Sequence, residues 1–192
     1  MIAIGYAEGH NLNKRSDFYW LKNSGVDASS VLVYFNSPEN LKKYEDGKKT
    51  LNKLNNLGLN WIKLWLWRGY VRNNTILNLN KLIKKFKPLD NIEKWIIEDL
   101  KYMIFRLDFW ISFFSFFNVK IHLEQTEKGK EVIIKQIALN DIGGCSVGKL
   151  RSYPCKLIGN LWGHYNSNIF FTWGQDSALR IKNTYNCLQL NH

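Results

Sequence analysis

The side chains best suited to chemistry lie on or just after the predicted strands in the second half of the chain. His122 and Glu124 share one predicted strand. Arg151 and Ser152 follow the next strand, and His164 lies in the loop before the last one. A carboxylate can take a proton from an attacking hydroxyl group, arginine can pair with a phosphate, and histidine can serve either purpose.

Because strand ends of an open α/β sheet converge on one cleft, these side chains are predicted to share a site. Glu124 and His164 are the candidate catalytic residues. His122, Arg151 and Ser152 are candidate substrate-binding residues. For each of them the alternative is a structural hydrogen bond or a surface position.

A second group of candidate residues is basic and aromatic. Between Asp46 and Asp90 the chain has no acidic residue and ten basic ones, interleaved with tryptophans. This pattern suits an anionic membrane surface or stacked nucleic-acid bases, and the alternative is a solvated face over a buried tryptophan cluster. We favour the membrane over nucleic acid, because neither RNP-type aromatics nor paired Cys/His ligands occur. The candidate contacts are Trp65, Trp67, Arg68, Lys81, Lys84, Lys85 and Lys87.

Composition narrows the class of protein. The 192 residues are 45% hydrophobic, enough for one ordinary core, and the net charge of +11 favours an anionic partner. The chain has three cysteines without C-x-x-C spacing, which predicts no disulfide framework and fits a reducing cytoplasm. Its four histidines are isolated from one another, so no metal site is predicted. Asp108 and Lys120 leave only eleven residues (109 to 119) between charges, whereas a membrane span needs about 20.

Strands and helices alternate along the chain. Strands are predicted at 31–35, 61–67, 119–125, 145–150 and 169–173, and helices at 39–57, 76–87, 90–117 and 128–141, after an irregular lead-in over residues 1–30. This alternation predicts an α/β fold: a Rossmann-like, three-layer parallel sheet with helices on both faces. No G-x-G-x-x-G, Walker or G-x-S-x-G motif occurs, and Gly143-Gly144 is predicted as a turn.

The last predicted strand is the most informative segment. Its aromatic run ends at Gly174 and continues into a pattern compatible with a helix. Doubly wound sheets bind ligands outside the carboxyl ends of their strands, so Gly174 is predicted at the rim of a cleft. Trp173, Gly174 and Gln175 therefore join the candidate substrate-binding residues.

The turn Phe171-Thr172-Trp173-Gly174-Gln175, preceded by a loop with Ser152 and Gly159, resembles the N-terminal half of GT-B glycosyltransferases of bacterial capsule and surface polysaccharide biosynthesis. Residues 17–26 and 31–35 are also similar to that group. The resemblance implies one acceptor-side Rossmann-like domain over residues 1–192, with a nucleotide-sugar as donor, a surface-glycan or lipid-linked acceptor, and no metal or cofactor. It also implies a cytoplasmic protein at the inner face of the membrane.

Enzymes of that family carry a second Rossmann-like domain that binds most of the nucleotide-sugar, and the chain ends at His192, before such a domain. We therefore expect a truncated enzyme or one partner of a split enzyme, inactive by itself. The alternative hypothesis is a noncatalytic basic module that binds nucleic acid or an anionic membrane.

Overall fold

The computed structural model describes residues 1–6, 21, 24–42, 46–71, 74–88, 90–124, 129–149, 167–172, 174–175 and 178–179. Within these residues, six strands form one sheet. They are β1 (Ile2–Gly5), β2 (Val31–Phe35), β3 (Asn60–Lys63), β4 (Ile121–Leu123), β5 (Cys145–Lys149) and β6 (Ile169–Phe171).

The strand order confirms the predicted α/β parallel sheet. The order is β3-β2-β1-β4-β5-β6, and every neighbouring pair is parallel. This is the order of doubly wound, Rossmann-like sheets, in which the direction of winding reverses between β1 and β4. In sheets with this strand order, ligands generally bind in a crevice outside the carboxyl ends of the strands, at the point where the order reverses.

Five α-helices lie in the described part of the chain. They are α1 (Pro38–Lys42), α2 (Gly47–Asn56), α3 (Asn74–Ile83), α4 (Asn91–Phe116) and α5 (Lys130–Asp141). Asp90 begins α4 by accepting a hydrogen bond from the Glu93 backbone N–H at 2.8 Å, as an N-cap residue does. Asp46 caps α2 in the same way, through the N–H of Lys48 at 2.9 Å.

The core has two layers, one on each face of the sheet. Helices α4 and α5 cover the first face through Ala3, Leu32, Tyr34, Trp110, Phe113, Phe114, Ile134, Ala138 and Leu139. Helices α1 and α2 cover the second face through Ile4, Val31, Val33, Phe35, Leu41 and Leu54. Because helices cover both faces, β2 is buried along its whole length, which explains its unbroken apolar sequence.

The structure corrects the prediction at the N-terminus. Residues 1–30 were expected to be irregular, but Ile2–Gly5 forms β1 at the centre of the sheet. Its sequence, Ile-Ala-Ile-Gly, is short and half made of small residues, so it lacks the bulky run by which a buried strand is recognised. Small residues are needed here, because Ala3 and Gly5 face the large aromatic side chains under α4.

Two further boundaries differ from the predictions. The single helix expected over residues 39–57 is interrupted, because Asp46 begins a new helix, α2, with its own cap. The strand expected over residues 61–67 ends at Lys63, and the chain then turns through a 3-10 helix, Leu64–Leu66. This turn places Leu64 in the core and, as described below, Trp65 in a cavity.

Candidate functional site

A cavity of about 410 Å³ lies between the carboxyl edge of the sheet and helices α4 and α5. Asn36 directly follows β2, and Leu64 directly follows β3, so the cavity lies on the edge where sheets of this topology bind ligands. Its volume falls in the ordinary range for sites that bind small molecules. The lining residues are Asn36, Leu64, Trp65, Tyr102, Arg106, Phe109, Glu131 and Lys135.

One wall of the cavity is the ion pair between Arg106 and Glu131. Arg106 donates to Glu131 through Nε at 2.6 Å and Nη2 at 3.0 Å, a bidentate geometry. Tyr102 Oη and Trp110 Nε1 also donate to the Glu131 carboxylate, at 3.1 and 2.8 Å. Tyr102, Arg106 and Trp110 recur every four residues along α4, so they share one face of that helix.

The hydrogen bonds decide the charge of Glu131. Burial alone would raise the pKa of this carboxyl group, but the hydrogen bonds from Arg106 and Trp110 outweigh burial and hold the pKa below its usual range. The Arg106 guanidinium in turn lies 5.0 Å from the ring centre of Phe109 and 5.5 Å from that of Trp110. The wall is therefore a rigid, charge-balanced polar surface bordered by aromatic rings.

Behind this wall lies a buried polar network of Tyr34, His122, Glu124 and Lys135. Lys135 Nζ donates to Glu124 Oε2 at 3.2 Å, and His122 Nδ1 lies 3.7 Å from the same oxygen. Tyr34 Oη and His122 Nε2 are 2.8 Å apart. Lys135 belongs both to this network and to the cavity lining, so the network connects the end of β4 to the cavity.

Burial sets the protonation of the network. It lowers the pKa of His122 to about 4, with Lys135 adding to the effect and Glu124 opposing it, so the imidazole is neutral at pH 7. Burial also raises the pKa of Tyr34 to about 12. Burial alone would lower the pKa of Lys135, but the Tyr34 oxygen and the Glu124 carboxylate outweigh it and raise the pKa above its ordinary value. An imidazole protonated on Nδ1 would then leave Nε2 to accept from Tyr34.

Gly5 is required beside this network. It pairs with Tyr34 across β1 and β2, and a Cβ atom at Gly5 would lie 2.9 Å from Tyr34 Oη, closer than van der Waals contact allows. Tyr34 cannot swing away easily, because its ring is fully buried and its hydroxyl is bonded to His122. We expect Gly5→Ala to lower the free energy of unfolding by about 1–3 kcal/mol, measured by urea denaturation.

Gly174→Ala is the matched control, because a Cβ atom at Gly174 meets no atom of the described residues within 4 Å. Its free energy of unfolding should stay within about 0.5 kcal/mol of the wild type, as for most surface substitutions. Equal losses for the two variants would contradict the steric argument at Gly5.

The structure brings some of the predicted site residues together and separates others. His122 and Glu124 lie in the same buried network, each with structural partners. Gly174 and Gln175 are exposed after β6, the edge strand, two strands from β4, a separation of about 10 Å at the usual strand spacing. Four predicted site residues lie outside the described residues: Arg151, Ser152, His164 and Trp173.

The residues predicted to contact a membrane lie in different parts of the structure. Trp65 lines the cavity, and Trp67 packs in a cluster with Phe109, Phe113, Phe116 and Phe117. Arg68 is exposed and donates to the backbone oxygen of Trp65 at 3.4 Å. The remaining four, Lys81, Lys84, Lys85 and Lys87, are exposed.

Sequence reasoning missed most of the cavity wall. Arg106 and Tyr102 lie in a helix that was interpreted only through its apolar stripe, and Glu131 and Lys135 have the four-residue spacing of an ordinary surface ion pair. The available signal was the Tyr102, Arg106 and Trp110 repeat on one face of α4. It indicates a polar patch on a core helix, but it does not identify Glu131 as the partner.

Within the described ranges, no three His, Cys, Asp or Glu residues come close enough to hold a metal ion. None of the described helices is both long and apolar enough to cross a bilayer. Comparison of the chain with protein families, with curated proteins and with solved structures gave no match.

Proposed function

We propose that this chain is the acceptor-side domain of a glycosyltransferase, and that the cavity between α4 and α5 binds a sugar ring of the acceptor glycan. A nucleotide-sugar is the proposed donor, and the proposed place of action is the inner face of the membrane. The observation that carries the proposal is the composition of the cavity wall, in which aromatic rings alternate with fixed, planar polar groups.

The cavity lining matches the two kinds of surface on a sugar. The C–H faces of a pyranose ring are apolar and can pack on the rings of Trp65, Tyr102 or Phe109. Its hydroxyl groups both donate and accept, as the Asn36 amide does. Glu131 takes two of the five N–H donors of Arg106, so the guanidinium can also donate to a sugar oxygen. The wall is held by four hydrogen bonds to Glu131, so little ordering is needed on binding.

The charge balance favours the acceptor over the donor. Arg106 is paired with Glu131, and Lys135 is paired with Glu124, so neither cation is left to neutralise the pyrophosphate of a nucleotide-sugar. Uncharged sugar hydroxyls need no such cation. Because Lys135 also holds Glu124, the proposal assigns sugar binding, rather than proton transfer, to the described residues.

Ligand-observed NMR with a panel of methyl glycosides tests the proposal. We expect at least one glycoside to bind, and we expect Trp65→Ala and Asn36→Ala each to weaken that binding about tenfold, because each removes a stacking or hydrogen-bonding group. Asn36 is exposed, whereas Trp65 is partly buried against the core, so circular dichroism of both variants checks that they are folded. UDP and GDP should not compete with the bound glycoside.

Trp95→Ala is the control, since Trp95 is an exposed tryptophan of α4 outside the cavity lining. It should bind the glycoside as the wild type does. The proposal is overturned if no glycoside in the panel binds, or if the Trp65 and Asn36 variants bind as tightly as the Trp95 variant.

A further inference from the structure

The end of α3 combines exposed apolar and basic side chains on one short segment, residues 79–87, here named the α3 tip. Leu82 is 53% exposed and Phe86 is 63% exposed, fractions that are high for such large apolar residues. Four lysines alternate with them in sequence, and all four are exposed: Lys81, Lys84, Lys85 and Lys87. The tip is therefore amphipathic at its outer surface, with both classes of side chain in contact with water.

The α3 tip has a fixed shape. Ile83 anchors it, because its buried side chain packs with Ile104 of α4. Leu79, four residues before Ile83, lies on the same side of the helix as Ile83 and is less exposed than Leu82, which lies about 100° further around the helix. After the helix, backbone N–H groups of Lys85 and Phe86 donate to the carbonyl groups of Leu82 and Ile83 at 3.0 and 3.1 Å.

The lysines of the tip have no anionic partner among the described residues: none of the four ammonium groups forms an ion pair there. This contrasts with Arg106, Lys130 and Lys135, each of which is paired with a carboxylate. The tip therefore presents a concentrated positive charge around two exposed apolar side chains, and an anionic surface with an apolar layer beneath it is its chemical complement.

We propose that the α3 tip binds the surface of an anionic membrane, with Leu82 and Phe86 entering the bilayer interface and the four lysines contacting lipid phosphates. Lysine side chains can reach headgroups while their apolar stems lie along the interface. Nucleic acid fits less well, because an aliphatic side chain such as Leu82 offers no ring for stacking against bases. This surface differs from the one predicted from sequence, since Trp65 and Trp67 belong to the cavity and to the phenylalanine cluster. The inference does not depend on the sugar-binding proposal.

Vesicle co-sedimentation tests this inference. The full chain should bind vesicles of phosphatidylcholine with 30% phosphatidylglycerol in low salt, and binding should fall steeply as salt is raised, because attraction of lysines to the surface is screened. A Lys81→Gln, Lys84→Gln, Lys85→Gln variant should lose about a hundredfold in partition coefficient, at about fivefold per lysine. A Leu82→Ser, Phe86→Ser variant should lose at least about tenfold with its charge unchanged.

Two matched control variants test whether vesicle binding depends on the α3 tip itself, rather than on the net charge or the exposed apolar residues of the whole protein. Lys42→Gln, Lys48→Gln, Lys49→Gln removes the same charge from exposed lysines on the α1–α2 side of the sheet. Leu57→Ser, Ile137→Ser removes two exposed apolar residues elsewhere. Both control variants should retain binding within about threefold of the wild type, the residual effect of net charge.

Any of three results overturns the inference. The first is no binding to anionic vesicles, or equal binding to pure phosphatidylcholine. The second is that the Leu82 and Phe86 variant binds as the wild type does. The third is tight binding of a 30-nucleotide single-stranded DNA that depends on Lys81, Lys84 and Lys85, together with vesicle binding that does not fall when the same three lysines are replaced. That result would assign the lysines to nucleic acid.

Discussion

Replacing Lys135 with Met should lower the free energy of unfolding by about 3–5 kcal/mol, measured by urea denaturation at pH 7. Methionine fills nearly the same space, so the loss is not one of packing. The loss arises because the Glu124 carboxylate would remain buried at the end of β4 without the ammonium group that now lies 3.2 Å away. Both side chains are more than 90% buried, so water cannot take the place of the missing cation.

Lys130→Met is the matched control on the same helix. Lys130 also pairs with a carboxylate, that of Asp99, but its side chain is about half exposed, and an exposed pair contributes only about 0–1 kcal/mol. Adding Glu124→Gln to Lys135→Met should recover much of the loss, since the double variant no longer buries the carboxylate charge that Lys135 balances. If Lys135→Met were as mild as Lys130→Met, the ion pair would not be the buried structural link inferred here.

The Lys135–Glu124 pair also helps to hold the cavity wall in place. Lys135 lines the cavity and holds Glu124, while Glu131, one helical turn earlier on α5, holds Arg106 of α4. The two pairs therefore fix the cavity wall to the centre of the sheet and to α4 together. A sugar-binding site built in this way has its polar groups oriented before the ligand arrives, which reduces the entropy lost on binding.

The sheet was largely predictable, because parallel strands buried on both faces leave a strong local signal. Val31–Phe35 is an unbroken apolar run and was located correctly, and the parallel direction of the sheet followed from the alternation of strands and helices. The central strand β1 was missed, since two of its four residues are small. Gly5 is small because Tyr34 packs against it, and Tyr34 lies 29 residues further along the chain (34 − 5).

The candidate site was less predictable than the fold. Glu124 was located at a strand end, but its partner Lys135 looks like a surface residue of an ordinary helix, and Tyr34 looks like one more apolar member of its strand. The contact between Tyr34 and His122 joins residues 88 positions apart. Such contacts depend on the order of strands in the sheet, which local patterns do not reveal.

Lowering the pH from 7 to 5 should lower the free energy of unfolding by about 2 kcal/mol through His122 alone, and by about 3 kcal/mol once pH 4 is reached. The folded pKa of His122 is about 4, against an ordinary value of 6.5 in the unfolded chain. Between these values the unfolded state binds a proton that the folded state does not, so stability is complete above pH 6.5 and is lost as the pH falls. Urea denaturation across this range measures the slope.

The groups that face His122 determine the controls. Tyr34, Glu124 and Lys135 surround the imidazole, and burial is the largest cause of its low pKa. A His122→Gln variant, which keeps a hydrogen-bonding group beside Tyr34 Oη, should therefore lose most of the slope between pH 7 and 5. Tyr34→Phe should keep it, because the imidazole stays buried when only the hydroxyl group is removed. If the free energy of unfolding of His122→Gln fell with pH as steeply as that of the wild type, other groups would cause the acid sensitivity. If that of Tyr34→Phe did not change with pH, the hydrogen bond rather than burial would keep the imidazole neutral.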